Sequence, residues 1–417
     1  MAEVLELDRT PRWKRTFAAV WWANFAATMG LQSFLPFFPS HLEELGVEGR
    51  GVVGAWTGAV FGAAPLAAAL TGPLWGSLGD RIGRKAMVLR SLLATALFVG
   101  LMALARTPLE LFVLRLLQGA FSGVIAPSIT LVSLGASRER QGSVAGRLQS
   151  ALALGAIAGP LLGALVSTWA SPRAVFVAVA LLALLGALAV AAFATEPGAR
   201  PATRTRLDAR RLLAEAKREA EELWSNARLR QAVVLAFWIQ FTVSATAPLV
   251  ELHVRDLWTG DERAQHLVTG ALFTGMALAS LVATRAWGEL GDRIGHARAL
   301  ALAALATSGL LLGHALATSL IAFALVRPLL GAAMAGNAPC AYAIAAGETD
   351  VSHRGNGLGI VFSGRSFAIA LAALTGGWLS SWIGIRGLFA VSAVALATIA
   401  VVYGPVRAPR NATMRRA

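Results

Sequence analysis

Few ionisable side chains interrupt the apolar stretches of this chain, and those few are the candidates for chemistry. Glu251 ends a long apolar run two residues before His253, and Glu110 begins another run. A carboxylate in an apolar setting holds a proton more readily than one in water, and neighbouring charges adjust that balance. Glu251 is therefore predicted to bind and release protons, with Glu110 as the second candidate.

Arginines also lie inside the apolar runs. Arg115 is the clearest case, and Arg327 and Arg365 lie in later runs. A charged side chain at bilayer depth costs about 3 kcal/mol on insertion scales and requires partners, which makes it a functional candidate. A structural role remains the alternative for each of the three.

Other kinds of chemistry find no support in the residues. The chain has one cysteine, Cys340, and six histidines without ligand spacing, so neither a disulfide framework nor a metal site is expected. No nucleotide-binding Gly-x-x-x-x-Gly-Lys-Ser/Thr sequence occurs. We expect no cofactor, no metal and no enzymatic activity.

The composition requires a bilayer around these residues. Of 417 residues, 56% are hydrophobic and 14% are charged, and the mean hydropathy is positive. Soluble domains carry about 25% charged residues. Because backbone groups in a bilayer must pair within their own segment, the apolar runs are predicted to be helices. The predicted runs are 16–39, 52–75, 86–105, 109–134, 143–169, 173–194, 231–252, 265–287, 297–317, 319–346, 357–383 and 386–406.

The runs divide into six, a polar stretch and six more. We therefore predict an all-α integral membrane protein with about twelve transmembrane helices in two halves, 1–194 and 231–406. Residues 195–230 are predicted to be a cytoplasmic linker with an amphipathic helix, and 407–417 a cytoplasmic tail. Most of the Lys and Arg residues behind the formal charge of +14 fall in the tails and the loops on one side. This asymmetry predicts cytoplasmic termini and contact with anionic lipids, and no nucleic acid is expected.

A charged turn rich in glycine occurs once per half. The segment Gly76–Lys85 recurs 212 residues later from Gly288 to Gly295. The same offset relates Arg115 to Arg327. The chain is therefore predicted to be a duplication, as many secondary transporters are.

Glycines in this turn permit close approach of helix ends, and Asp80 can face a helix N-terminus while the basic residues pair with it or with lipid phosphates. We expect the turn to close the cytoplasmic side, and its second copy, followed by His296, to do so less strongly. A charged turn that only fixes topology is the alternative. The residues predicted to form this gate are Gly76, Gly79, Asp80, Arg81, Gly83, Arg84, Lys85, Gly288, Asp292 and Arg293.

The fifth apolar run carries Gly155, Gly159, Pro160 and Gly163 on one helical face. Proline removes a backbone hydrogen bond and bends the helix, while the glycines permit tight packing. We expect this face to lie against the second half, where a bend would govern sealing. A pure packing role is the alternative.

Together these elements resemble the major facilitator superfamily. The turn Gly76–Lys85 and Arg115-x-x-Gln118-Gly119 match its signatures, and Gly155–Gly163 resembles the antiporter signature of its twelve-span drug:proton antiporters. Trp13-Lys14-Arg15 and Leu35-Pro36-Phe37 are similar to the openings of bacterial multidrug exporters in that family. The resemblance implies alternating access, a role of Arg115 in proton coupling and a place in the bacterial cell (inner) membrane.

We expect a monomer that exports small amphiphilic compounds in exchange for protons. A superfamily importer or lipid flippase is the nearest alternative, and a membrane sensor or a membrane-embedded enzyme is the alternative of another class. A pocket of this kind is mainly apolar with few polar anchors. Its predicted residues are Trp22, Asn24, Gln32, Phe34, Gln118, Trp238, Gln240, Phe241, Asn337, Arg327 and Arg365.

Overall fold

The computed structural model describes residues 10–134, 140–196, 221, 225–349 and 354–404. Throughout those residues the backbone is helical or irregular, and no strand is formed. We refer to residues 10–196 as the first half and to 225–404 as the second half. The predicted linker helix and the C-terminal tail fall mostly or wholly outside the described residues.

The described residues of the first half form eight α-helices. They are α1 (Pro11–Phe34), α2 (Phe38–Glu44), α3 (Arg50–Ile82), α4 (Arg84–Met102), α5 (Pro108–Phe121), α6 (Ile125–Ser133), α7 (Gln141–Trp169) and α8 (Pro172–Phe193). Two predicted runs are interrupted. A 3₁₀ segment, Leu35–Phe37, separates α1 from α2, and the break between α5 and α6 contains Gly123, whose φ is 114°. Hydroxyl caps start three of the helices: Thr10, Thr107 and Ser171 each accept a backbone N–H of the first turn.

The second half repeats much of this pattern. Its helices are α9 (Ala227–Thr246), α10 (Val250–Leu257), α11 (Glu262–Ile294), α12 (His296–Leu316), α13 (Leu320–Met334), α14 (Asn337–Glu348) and α15 (Arg354–Tyr403). A second 3₁₀ segment, Ala247–Leu249, joins α9 to α10. Helix α15 turns at Gly384, whose φ is 72°, so its two parts correspond to the last two predicted runs.

The helices confirm a protein that crosses a membrane many times. Among the described residues, ten helical segments have the length and apolarity to span a bilayer. One of them, Gly357–Tyr403, has 47 residues and contains the turn at Gly384, and α1 is not among the ten. The fold class is therefore confirmed, whereas the number twelve and the sidedness of the termini stay predictions.

The duplication is visible in matched side-chain contacts. The indole N–H of Trp75 donates to the carbonyl of Ala120 at 2.5 Å, and Trp287 donates to Ala332 at 2.7 Å. Both pairs are related by the 212-residue offset. Gly119 and Gly331 lie against the backbones of residues 64 and 276, which keep the same offset. The halves are two copies of one packing plan.

Two pairs of long helices join the halves. Helix α3 packs on α15, and a Cβ at Gly58 would meet the backbone of Gly377 at 2.8 Å. Helix α7 packs on α11, where a Cβ at Gly270 would meet the Pro160 carbonyl at 2.7 Å. Small residues allow such close approach inside membranes. Because successive helices run up and down, the turns at Gly83 and Gly295 lie at one end, here called the linker end. Residues 35–50 and 247–262 lie at the other end, here called the distal end.

Candidate functional site

Glu251 is fully buried where the two halves meet at the distal end. It lies in the first turn of α10 and contacts Ser40 of α2. The backbone N–H of Ser40 donates to Glu251 Oε2 at 3.3 Å, and the Ser40 hydroxyl donates to Oε1. The carboxylate of one half is therefore held by two donors of the other half.

Charged side chains surround this contact. Arg255, one turn after Glu251, lies with Nη2 4.0 Å from Glu251 Oε1, donates to Ser40 Oγ at 3.0 Å and forms an ion pair with Glu43. A further ion pair, between Arg50 and Asp256, also joins the halves. Exposed pairs contribute about 0–1 kcal/mol each, so position matters here more than strength. Together they close the distal end around Glu251.

His266 of α11 completes the surroundings of the carboxylate. Its Nε2 lies 3.7 Å from Glu251 Oε1, and its Nδ1 lies 3.0 Å from Ser167 Oγ on α7. Its ring is edge-on to Phe37, with centroids 5.3 Å apart. We call Ser40, Glu43, Ser167, Glu251, Arg255 and His266 the distal cluster. Of these six residues, only Glu251 could be singled out from the sequence.

His253, which the sequence places beside Glu251, faces the opposite way. Its ring lies 5.0 Å from that of Phe323 and 5.9 Å from that of Phe389, inside the second half. The ring of His314 lies 4.7 Å from Phe323 in the same cluster. Since residues two apart in a helix do not share a face, the side chains of Glu251 and His253 lie in different surroundings.

Glu110, the second carboxylate candidate, is exposed at the start of α5. It accepts the backbone N–H of Arg106 at 2.8 Å, while Thr107 Oγ1 accepts the N–H of Glu110 at 3.2 Å. This reciprocal arrangement is a helix cap. The structure does not bring Glu110 to the distal cluster.

Arg115 is buried in the first half and has a side-chain acceptor. Its Nη1 donates to Gln118 Oε1 at 2.6 Å, one turn along α5. The guanidinium also lies over the ring of Phe34, with the central carbon 5.0 Å from the centroid. Cation–π contacts of this kind stabilise buried arginine. Three predicted residues, Arg115, Gln118 and Phe34, are thus brought together.

Arg327, the equivalent of Arg115, is arranged differently. It is fully buried, and none of the described residues accepts a hydrogen bond from its Nε, Nη1 or Nη2. Its central carbon lies 5.2 Å from the ring centroid of Phe273. Leu330 occupies the position that Gln118 has in the first half.

Polar pocket candidates of the second half form a separate group. Arg365 donates to Gln240 Oε1 at 3.1 Å and to the Tyr342 hydroxyl at 3.4 Å. Trp238 and Phe241 lie on the same helix as Gln240, with ring centroids 5.3 Å apart. Arg365, Trp238 and Phe241 are partly buried, so each of these side chains keeps some exposed surface.

Other pocket candidates are used inside one half or lie at the surface. Asn24 donates to Ser128 Oγ at 2.8 Å, and Asn337 donates to the Ala236 carbonyl at 3.2 Å. Trp22 is 58% exposed, and Gln32 lies against Gly159. The structure does not gather the predicted pocket residues into one group.

The turn Gly76–Lys85 is described only in part. Gly83, with φ 97°, ends α3 by donating its N–H to the Gly79 carbonyl at 3.2 Å. The side chains of Asp80 and Arg81 and the surroundings of Gly76 lie outside the described residues. Glu196 accepts the backbone N–H groups of Arg84 at 2.8 Å and Lys85 at 3.1 Å. This carboxylate therefore caps α4 within the first half, which the sequence did not reveal.

The second copy of the turn keeps the backbone and changes the charges. Gly295 has φ 92° and ends α11 as Gly83 ends α3. Asp292 Oδ1 lies 3.3 Å from His296 Nε2 one turn later, and Gly291 lies against the His296 ring. Arg293 is exposed, and Gly288 has open space around it. Asp292 is thus paired within its own half.

Contrary to expectation, the glycine face of α7 does not lie against the second half. Gly155 and Gly159 lie against α1, where a Cβ would meet the Met29 backbone at 2.9 and 2.6 Å, and Gly163 lies on the Ser33 carbonyl. Pro160 instead faces α11 through its carbonyl at Gly270. The antiporter-type segment therefore fills the space between α1 and the second half.

Within the described part of the chain, no group of three His, Cys, Asp or Glu side chains could hold a metal ion. Cys340 is buried and free.

Relatives of known function are similar over most of the chain. A multidrug resistance protein MdtG of Enterobacter lignolyticus is 33% identical over 73% of this chain and 71% of its own length. A multi-drug resistance efflux pump, PmrA of Streptococcus pneumoniae, is 29% identical over 70% of each chain. Both relatives are bacterial.

Solved structures show the same fold. The nucleoside transporter NupG, as a variant, matches with a TM-score of 0.76 at 15% identity and covers 93% of this chain and 98% of its own. A bacterial homologue of the human lysosomal transporter Spinster matches with a TM-score of 0.74 at 13% identity, covering 95% and 96%.

The family model described as Major Facilitator Superfamily matches residues 20–260 and 235–415. Its two matches cover both halves, in agreement with the paired tryptophan contacts. The protein is thus a multi-pass transporter of the bacterial cell (inner) membrane and not an enzyme. The chain belongs to the Major Facilitator Superfamily.

Proposed function

We propose that this protein exports small amphiphilic compounds in exchange for protons, and that Glu251 is the proton carrier. The observation that carries the proposal is a fully buried carboxylate with contacts from both halves. The names of the relatives, a multidrug resistance protein and a multi-drug efflux pump, support drug export.

Burial links the proton to closure of the distal end. Moving a carboxylate from water into the protein interior costs several kcal/mol in effect. A proton removes that charge, so closing the distal end around Glu251 is easier when the group is protonated. A proton bound from the outside while this end is open therefore drives closure.

Release follows when the linker end opens. Once the distal end is closed, a deprotonated Glu251 is stabilised by the Ser40 donors of the other half and by Arg255 on its own helix. His266 lies between the carboxylate and Ser167 and can receive the proton. A substrate bound between the halves then shifts the equilibrium back to the distal-open state. Each charge moved inward gains about 2.3 kcal/mol per 100 mV.

This scheme places the linker end in the cytoplasm. The basic tails and loops support that orientation through the positive-inside rule, and they favour contact with anionic lipids. The chain functions as a monomer in this proposal, because both gates and both halves belong to one polypeptide. The unit 1–194, the linker 195–230 and the unit 231–406 are its working parts.

The first experiment is proton release driven by substrate in everted membrane vesicles. Lipophilic dyes and antibiotics are added, and the internal pH is followed. We expect a compound to release protons with the wild type and at least tenfold less with Glu251→Gln. The matched control is Glu110→Gln, which removes an exposed carboxylate and is expected to retain coupling.

Two outcomes contradict the proposal. Equal proton release by Glu251→Gln and the wild type places the coupling carboxylate elsewhere. Uptake of a compound that is indifferent to the proton gradient favours an importer or a lipid flippase.

A further inference from the structure

Arg327 is a buried cation without an internal acceptor. Its side chain is fully buried, and among the described residues no atom accepts from any of its three nitrogens. A guanidinium has five N–H donors in a fixed fork. Leaving such a group unpaired in an apolar interior costs several kcal/mol, so an acceptor is required at some stage of the protein's cycle.

The first half shows what an internally satisfied equivalent looks like. Arg115 donates to Gln118, three residues later on the same helix, at 2.6 Å. Arg327 has Leu330 at that position, and a leucine offers no acceptor. The glycines next to them, Gly119 and Gly331, keep the same backbone contacts in both halves. The glycine contact is thus kept in the two halves while the acceptor is lost.

Unsatisfied nitrogens of two other helices accompany Arg327. Nε2 of His253 on α10 and Nε2 of His314 on α12 are buried, and neither finds a partner among the described residues. Both imidazoles lie against Phe323, which is one turn before Arg327 on α13. His314 Nδ1 lies 2.7 Å from the Leu310 carbonyl and donates to it, so Nε2 is the free atom of that ring. Aromatic rings therefore accompany Arg327, but the free Nε2 of His314 carries a lone pair and needs a donor, so it is the guanidinium that offers donors to an anion.

The chemistry of this arrangement suits an oxyanion. The guanidinium fork matches a carboxylate or phosphonate with two parallel hydrogen bonds, and such bonds are about twice as strong as neutral ones. Aromatic rings around the fork suit the apolar body that carries the acid. A cationic compound would meet only repulsion from Arg327.

We propose that Arg327 binds the oxyanion group of a transported compound, so that the substrates include amphiphilic acids. This inference rests on the proposed export function and names a substrate class for it. Phe273 of α11 covers the guanidinium and is itself only partly buried. Because α11 also carries His266 of the distal cluster, movement of this helix on opening displaces the covering ring and admits the acid.

The test uses binding and does not depend on proton coupling. Purified protein in detergent is titrated with 1-pyrenebutyrate and, separately, with its methyl ester, which lacks the charge. Leu330→Gln gives Arg327 the internal acceptor that Arg115 has. We expect this variant to bind the acid at least tenfold more weakly while its affinity for the ester stays unchanged. Leu329→Gln, at an exposed neighbouring position, is the matched control and should retain the acid affinity.

A second variant guards against a folding defect. Arg327→Lys keeps the charge but lacks the fork, and it should also lose preference for the acid over the ester. Competition with acetate distinguishes the two sources of an oxyanion. Weak competition, only at high millimolar acetate, supports an acid carried by an amphiphile, whereas displacement by acetate at micromolar concentration points to a free small anion and overturns the substrate assignment.

Equal binding of acid and ester by the wild type, or unchanged acid binding in both variants, overturns the inference and leaves Arg327 a structural residue. Proton-coupled export is tested separately, in the vesicle assay with Glu251→Gln. The two failures are therefore distinguishable.

Discussion

Ser40 and Glu251 are 211 residues apart in sequence, yet both the N–H and the hydroxyl of Ser40 donate to the Glu251 carboxylate. This contact joins the halves at the distal end and takes the carboxylate out of water. Alternating access requires that it breaks and re-forms in every cycle. Whether this contact is closed or open can be followed by cross-linking residues that lie near it.

A cross-link between Arg50 and Asp256, whose side chains form an ion pair between the halves, should lock the distal end. The variant carries Arg50→Cys and Asp256→Cys together with Cys340→Ser, which removes the natural thiol. We expect oxidation to abolish substrate-driven proton release and a reductant to restore it. Each single-cysteine variant, oxidised in parallel, serves as the control. Undiminished transport by the oxidised double variant would show that the distal end need not open.

A side chain at Gly58 should force the halves apart. A Cβ there would meet Gly377 Cα at 2.8 Å across the α3–α15 contact, whereas nothing lies within 4 Å at Gly72 on the same helix. We expect Gly58→Val to lower the yield of the 50–256 cross-link several-fold by favouring the distal-open state. Gly72→Val should leave the yield unchanged. An equal effect of the two substitutions would assign it to the helix rather than to the contact.

Gly163 should be intolerant of even one methyl group. A Cβ there would overlap the carbonyl oxygen of Ser33 on α1, and overpacking of this kind costs about 1–3 kcal/mol. We expect Gly163→Ala to lower the midpoint of thermal unfolding in detergent by several degrees. Gly146→Ala, on the same helix in open space, should leave the midpoint unchanged or raise it slightly. A neutral Gly163→Ala would mean that α1 and α7 separate freely.

Glu196 should stabilise the first half through its cap on α4. Its carboxylate accepts the N–H groups of Arg84 and Lys85 at the helix start, where negative charge is favoured. We expect Glu196→Ala to reduce the free energy of unfolding by about 1–2 kcal/mol. The control is Glu48→Ala at an exposed position. Thermal unfolding of the purified variants measures the difference, and an unchanged midpoint for Glu196→Ala contradicts the capping role.

The membrane fold and the duplication could be predicted from the sequence because both depend on patterns of residue type along the chain. Apolar runs set helix positions, and the offset between Arg115 and Arg327 extended to the Trp75 and Trp287 contacts. Glu251 could be singled out because a carboxylate after an apolar run is rare. Its role as proton carrier remains a prediction.

The partners of Glu251 could not be predicted in the same way. Ser40 and His266 come from different halves and different helices, and nothing in their neighbouring sequence marks them. The prediction that the glycine face of α7 lies against the second half is wrong. Small residues suit any close helix contact, so the glycines do not specify which helix they meet. The face chosen depends on the three-dimensional order of the helices.

The two 3₁₀ segments, Leu35–Phe37 and Ala247–Leu249, lie 212 residues apart and directly precede the residues that join the halves. A 3₁₀ helix rises about 2.0 Å per residue with 3.0 residues per turn, against about 1.5 Å and 3.6 in an α-helix. Rewinding three residues would shorten each segment by about 1.5 Å and rotate the short helix after it by about 60°. Ser40 and Glu251 would then rotate away from one another together with their short helices, without any change in the long helices behind them.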